Sequence, residues 1–145
     1  MTKQELLDAI TFVGYSSIML NGDYLNYGVI AKNLYPDVEW FFDEQEGSYQ
    51  GDWYMVGKDK EGKYYFFTMS YGSCSGCDWL ESIASSGPDG KEEMGELIDK
   101  ILNTPILENK EAALEYAKKF DWQNSYDREE NNPFVKEVVE AIEKS

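Results

Sequence analysis

Histidine is absent from this chain, arginine occurs once, at Arg128, and cysteine occurs twice, at Cys74 and Cys77. The first absence excludes Ser-His-Asp and Cys-His catalysis, imidazole metal ligation and a histidine pH switch. The second removes the arginine clamps on which phosphate chemistry draws. Positive charge is scarce altogether, with 13 Lys and Arg against 28 Asp and Glu and a net charge of −15. Direct binding to nucleic acid needs cations that release counterions, and here the sign is wrong. Apolar runs are short: a cluster such as Ile18-Met19-Leu20 falls far below a membrane span. The opening Met1–Asp8 segment shows neither the apolar stretch nor the cleavage site of a signal peptide. Both cysteines share a single Cys-x-x-Cys, so the dispersed disulfide framework of a small secreted scaffold is missing too. No P-loop, Gly-x-Ser-x-Gly elbow or dinucleotide fingerprint occurs. The expectation is a cytoplasmic protein without a cofactor, and not an enzyme.

What is present supports a folded core. The chain has 145 residues, 42% of them hydrophobic, which suits one domain over 1–145 and argues against wholesale disorder. Thr2 and Glu5 carry a capping-box signature, and Leu6, Ile10 and Val13 follow at helical spacing, predicting a helix over 3–13 that ends at Gly14. A second helix is predicted from Tyr24 to Leu34, with Asp23 as cap, Gly28 as a weak point inside it and Pro36 beyond its end. From Val38 the period becomes two: Val38, Trp40 and Phe42 alternate with Glu39, Phe41 and Asp43. Trp53–Val56 and Lys63–Ser70 complete an antiparallel meander, because glycine-marked turns leave no room for a parallel crossover. Beyond Cys77 the helical period returns. Asp78 and Glu81 can cap a helix bearing Trp79, Leu80 and Ile83; Met94, Leu97, Ile98, Ile101 and Leu102 form the clearest stripe. Ala113, Leu114, Ala117 and Phe120 mark another helix, and Asn132-Pro133 opens a last one carrying Phe134, Val138, Ala141 and Ile142. The predicted class is α+β: a small antiparallel three-stranded sheet over about 38–70, flanked by N-terminal and C-terminal helices.

Residues 48–78 include a Tyr49-Gln50-Gly51-Asp52 strand start and the run Ser70-Tyr71-Gly72-Ser73-Cys74-Ser75-Gly76-Cys77-Asp78. This run resembles a motif of small phage and bacterial proteins. The resemblance implies the lineage of a phage or mobile-element accessory gene and brings no activity with it.

Four readings of Cys74 and Cys77 remain open. Two thiolates at this spacing are half of a tetrahedral zinc site, which a second chain would have to complete, because no other Cys or His exists. Cys-x-x-Cys between a strand and a helix is also where a low-pKa redox thiol belongs, although the meander before it is not a βαβ unit. The surrounding Gly72, Ser73, Ser75 and Gly76 resemble an anion-binding loop, without the basic residues that assist one. The plainest reading is a pair of small buried sulfurs in a tight turn.

The acidic residues carry the second signal. From Asn33 to Gly57 stand Asp37, Glu39, Asp43, Glu44, Glu46 and Asp52 with no Lys or Arg, interleaved with Trp40, Phe41, Phe42, Tyr49, Trp53 and Tyr54. A surface of one sign speeds encounter with an oppositely charged partner, and spaced carboxylates beside aromatics can imitate phosphates and bases in a basic channel. The alternative is that the acidity only keeps the protein soluble. A further acidic stretch, Asp121–Glu130, reads as a connector between helices and lacks the regular oxygen spacing of a calcium loop. Carboxylate catalysis has no sequence signature here, since 28 acids guarantee chance pairs.

The resulting expectation is a small acidic accessory protein that binds and inhibits a basic host protein by acidic mimicry of nucleic acid, with neither nucleic acid nor membrane as a direct ligand. The expected contact residues are Glu39, Trp40, Asp43, Glu44, Glu46, Asp52 and Trp53 on one sheet face. The rival places function at Cys74 and Cys77, as a redox dithiol or a metal clip between subunits, and a third reading is a scaffold or immunity-type module without mimicry.

Overall fold

A computed structural model describes residues 1–46, 51–72, 78–120 and 133–145, with backbone alone at 46, 133 and 134. The Thr2 hydroxyl accepts from the Glu5 amide at 3.1 Å while the Glu5 carboxylate accepts from the Thr2 amide at 3.0 Å, so the capping box forms and opens α1 (Lys3–Ala9). The helix stops short of the expected Val13. Ile10-Thr11-Phe12-Val13 becomes strand β1 (Ile10–Val13), paired antiparallel with β2 (Ser17–Leu20). Its β-branched side chains lose rotamer freedom in a helix and fit a pleat, and Ile10 and Phe12 reach the core while Thr11 and Val13 face outward. A two-residue loop, Asn21-Gly22, then leads into β3 (Asp23–Tyr24), with φ positive at both positions (52° and 87°) as a type I′ hairpin turn requires. These three short strands form a separate N-terminal sheet that the sequence reading did not include.

Strand β3 takes Asp23 and Tyr24 out of the second helix. α2 runs from Tyr27 to Leu34, and Asn26 replaces Asp23 as cap, its side-chain oxygen accepting from the Val29 amide at 2.9 Å. Among the described residues the main sheet has four strands rather than three, ordered β4 (Glu39–Glu46), β5 (Gly51–Lys58), β6 (Tyr64–Tyr71) and β7 (Ile106–Leu107), every pairing antiparallel. Two residues just after Pro105 supply the added strand, where no strand was expected. Pro105 lacks an N–H but its carbonyl accepts from the Phe66 amide at 3.1 Å, which leads the chain into register with β6.

The remaining helices follow the sequence pattern closely. Asp78 caps α3 (Trp79–Ser85), a 3₁₀ turn at Gly87–Gly90 leads into α4 (Lys91–Leu102), and Asn109 caps α5 (Lys110–Lys119) ahead of α6 (Pro133–Lys144). Met94, Leu97, Ile98 and Ile101 of α4 are buried as expected, whereas Leu102 is 40% exposed. Val138 and Ile142 of α6 are buried; the cap expected at Asn132 and the Phe134 side chain lie outside the described residues.

Two apolar clusters lie on opposite sides of the main sheet. Met55, Phe67 and Met69 face Leu6, Ile30, Ile83, Met94, Leu97 and Ile98 of α1–α4. Phe42, Tyr54, Val56, Tyr64 and Phe66 face Ala113, Ala117, Val138 and Ile142 of α5 and α6. Full burial of one such aliphatic or aromatic side chain contributes about 1.5–3 kcal/mol, so covering both faces is strongly favoured over leaving either in water. It also explains why the middle of β5 reads as a continuous apolar run.

Candidate functional site

The acidic segment begins on β4, and a β-bulge decides where its side chains go. Trp40 pairs with Gly57 and Phe42 with Val56, leaving Phe41 as the extra residue. The strict alternation expected over 38–43 therefore breaks. Trp40 packs with the α1–α4 cluster, against the rings of Tyr35 and Tyr65, while Phe41 and Phe42 both join the α5–α6 cluster. Beyond the bulge Asp43 lies opposite Met55 and Glu44 opposite Tyr54, residues of different clusters, so the acids are divided between the two faces of the sheet.

The expected contact residues accordingly separate into three groups. Glu39, Asp43 and Glu44 are exposed on β4, an edge of the main sheet, and Glu46 continues that strand in register with Asp52. Trp40 and Trp53 are half-buried against the core. Asp52 is 7% exposed and accepts from the hydroxyls of Tyr54 at 3.0 Å and Ser70 at 2.8 Å, an internal hydrogen-bonded carboxylate. Both faces of the sheet carry helices, so the six of these residues whose side chains are described do not share one aromatic, acidic face. Cys74, Cys77 and the Asp121–Glu130 stretch lie outside the described residues.

Trp53 links the acidic edge to the interior. Its indole N–H donates to Asp43 Oδ1 at 2.7 Å, and Lys32 Nζ of α2 stands 3.5 Å from Asp43 Oδ2. The Trp53 ring meets Tyr27 edge-on, with centroids 6.4 Å apart and an interplanar angle of 87°. It also lies over Gly28, where an added Cβ would come within 2.8 Å of its Cζ2. The glycine that looked like a weakness in α2 is the contact that lets this indole settle onto the helix.

On the far side of Trp53 opens a cleft of about 260 Å³, which sequence reasoning did not anticipate. Tyr24, Tyr27, Trp53 and Tyr71 supply its aromatic walls, with Asp78 and Glu81 as its acids. Its floor is held by Asp78: the Tyr27 hydroxyl donates to Oδ1 at 2.5 Å, the Gly72 amide donates to Oδ2 at 3.0 Å, and the Leu80 amide donates to the Tyr27 oxygen at 2.8 Å. Burial, and next the hydrogen bond to Asp78, keep the Tyr27 hydroxyl protonated well above the usual tyrosine range. The signals that point to this cleft in sequence are Asn21-Gly22, which brings Tyr24 back along β2, and the Asp78 cap; their convergence is a product of the fold. Among the described residues no group of three or more acids or thiols is placed to hold a metal ion, and no helix is long and apolar enough to cross a membrane.

No protein-family model, curated protein or solved structure matches the chain.

Proposed function

We propose that this chain is a non-enzymatic binding module, of the phage or mobile-element accessory type, that meets and inhibits a basic host protein through its acidic edge strand β4. The observation that carries this reading is the exposure of Glu39, Asp43 and Glu44 on an edge strand within a segment, 33–57, that has no Lys or Arg. An edge strand offers unpaired main-chain groups to another chain. Carboxylates along it repel a second copy of the same edge and attract a basic segment, so the charge selects the partner. Imitation of a phosphate backbone by the same row of carboxylates is the finer form of the proposal, and it gives the partner's class as a protein that handles nucleic acid. Trp40, Trp53 and Asp52 enter this reading as supports of the strand rather than as contact residues.

The test is capture from host lysate with the wild-type chain and with a Glu39→Lys/Glu44→Lys variant, at low salt and at about 0.5 M salt, where screening is short-ranged. A basic protein recovered by the wild type at low salt, and lost both at high salt and with the variant, supports the proposal. Capture that is insensitive to salt and unchanged in a variant with native circular dichroism overturns it.

A further inference from the structure

The geometry points to a binding site for a small organic cation, an alkylammonium or guanidinium group on an aliphatic stem, in the cleft between the β2–β3 hairpin, the start of α2 and the Trp53 ring. The inference does not rest on the edge-strand reading, because it uses a different surface. Three properties of the cleft converge on this ligand. Its volume of about 260 Å³ lies just under the roughly 300–1,000 Å³ typical of drug-sized sites, which suits a single amine or one amino-acid side chain. Tyr24, Trp53 and Tyr71 line it with aromatic rings, whose faces attract cations. Asp78 and Glu81 add carboxylates, and among the described residues no Lys or Arg lines the cleft to neutralise them.

The hydrogen bonds divide the work between the two acids. Asp78 is fixed in place by the Tyr27 hydroxyl and the Gly72 and Glu81 amides, neutral donors that bring no counter-charge to it. Glu81 is half-exposed at the rim and is the acid better placed to follow an entering cation. Ser17, also in the lining, adds a hydroxyl that can accept from a remaining N–H group, while the Asn26 oxygen is engaged by the Val29 amide. An anion meets two carboxylates here, and a neutral apolar ligand leaves them without a counter-charge.

The test is an NMR titration that follows the Trp53 indole N–H signal. N-acetyl-arginine methylamide and N-acetyl-lysine methylamide stand for a protein side chain, and putrescine and spermidine for a free amine. N-acetyl-citrulline methylamide is the uncharged isostere of the first probe. Expected is a saturable shift with the cations and none with the citrulline compound. Glu81→Gln weakens binding about fivefold and Tyr24→Leu about threefold. Tyr24 is 72% exposed, so its removal leaves folding intact. Tighter binding of the amino-acid derivatives assigns the site to a protein side chain, and tighter binding of the diamines to a free amine; both support the site. Glu39→Lys/Glu44→Lys leaves these affinities within about twofold, since those charges lie outside the cleft. An equal response to the citrulline compound, or no saturable shift with any cation, overturns the inference even if the edge strand captures a partner.

Discussion

Trp53 and Asp43 are joined diagonally across the β4–β5 pair: the indole N–H donates to Asp43 Oδ1 over 2.7 Å, while Lys32 approaches the other carboxylate oxygen at 3.5 Å. One of the exposed edge acids thus holds the indole that walls the cleft. The ion pair is solvent-exposed and contributes little, so the hydrogen bond is the larger effect. Asp43→Ala is expected to destabilise the fold by about 1 kcal/mol, and Asp43→Asn, which keeps an acceptor, by about half as much. Urea unfolding measures the difference, and the Trp53 indole N–H signal should move in the alanine variant and stay close to its native position in the asparagine one. An unmoved signal in Asp43→Ala would mean that the bond is absent in solution.

Asp52 should prove structural. Its carboxylate is buried between the Tyr54 and Ser70 hydroxyls, and Asp52→Ala leaves both without that acceptor. The expected loss is about 1–3 kcal/mol, with Asp52→Asn closer to wild type. In the capture experiment Asp52→Asn is expected to keep full binding, provided that the variant is folded. Loss of binding by a folded, stable Asp52→Asn would return this residue to the contact surface.

Two glycines are fixed by what lies above them. A Cβ on Gly57 would collide with Val38 Cγ1 and come within 2.8 Å of Trp40 Cε3 and 3.0 Å of the Glu39 carbonyl oxygen, which belongs to the backbone and cannot turn aside. Gly57→Ala is therefore expected to cost about 2–3 kcal/mol. Gly28→Ala gains up to about 1 kcal/mol of helix propensity and presses on Trp53, so the net result is a loss of about 1 kcal/mol. Thermal unfolding of Gly28→Ala alone and in a Trp53→Ala background separates the two effects: removing the indole should turn the glycine substitution from harmful to favourable.

Alkaline stability follows from the tyrosines. Burial, then the hydrogen bond to Asp78, raises the Tyr27 hydroxyl, and burial, then the hydrogen bond to Asp59, pushes Tyr65 up to about 12. Burial raises Tyr35 and Tyr116 as well. In the unfolded chain these groups ionise near pH ~10. The folded state therefore holds its protons more tightly, and the contribution is complete below about pH 10 and is lost as pH rises through the folded-state values. Stability from these groups should be flat through neutral pH and fall above about pH 10, with tyrosinate absorbance from Tyr27 appearing together with loss of tertiary structure. Tyr27→Phe removes the hydroxyl that the Leu80 amide bonds, costs about 2 kcal/mol and flattens the alkaline decline. A tyrosinate signal at pH ~10 from every tyrosine, with the fold intact, would contradict this account.

The sequence by itself determined the elements whose causes are local. Thr2 and Glu5 close their capping box within four residues, the Asp78 side chain accepts from the Glu81 amide of α3, and the α4 stripe from Met94 to Ile101 buries as its period demands. The meander of β4, β5 and β6 was legible for the same reason, since alternation and turn residues act over short range. The Asn21-Gly22 turn was equally local and carries the strongest short hairpin signal in the chain; the helical spacing of Leu6, Ile10 and Val13 and the pattern from Tyr24 to Leu34 concealed it. Tertiary structure alone decided the rest. Ile106 and Leu107 form a strand because β6 offers them an edge, and two residues carry no period of their own. The bulge at Phe41 depends on what both sides of the sheet can accommodate, and it divides a run of acids that reads as one surface. Whether Trp53 and Asp52 face solvent was settled by α2 and by the Tyr54 and Ser70 hydroxyls, partners set by packing and cross-strand pairing, to which composition and spacing carry no guide. The aromatic cleft belongs with these: Tyr24, Trp53, Tyr71 and Asp78 lie far apart in the chain, and only the folded arrangement of four elements brings their rings and charges around one space.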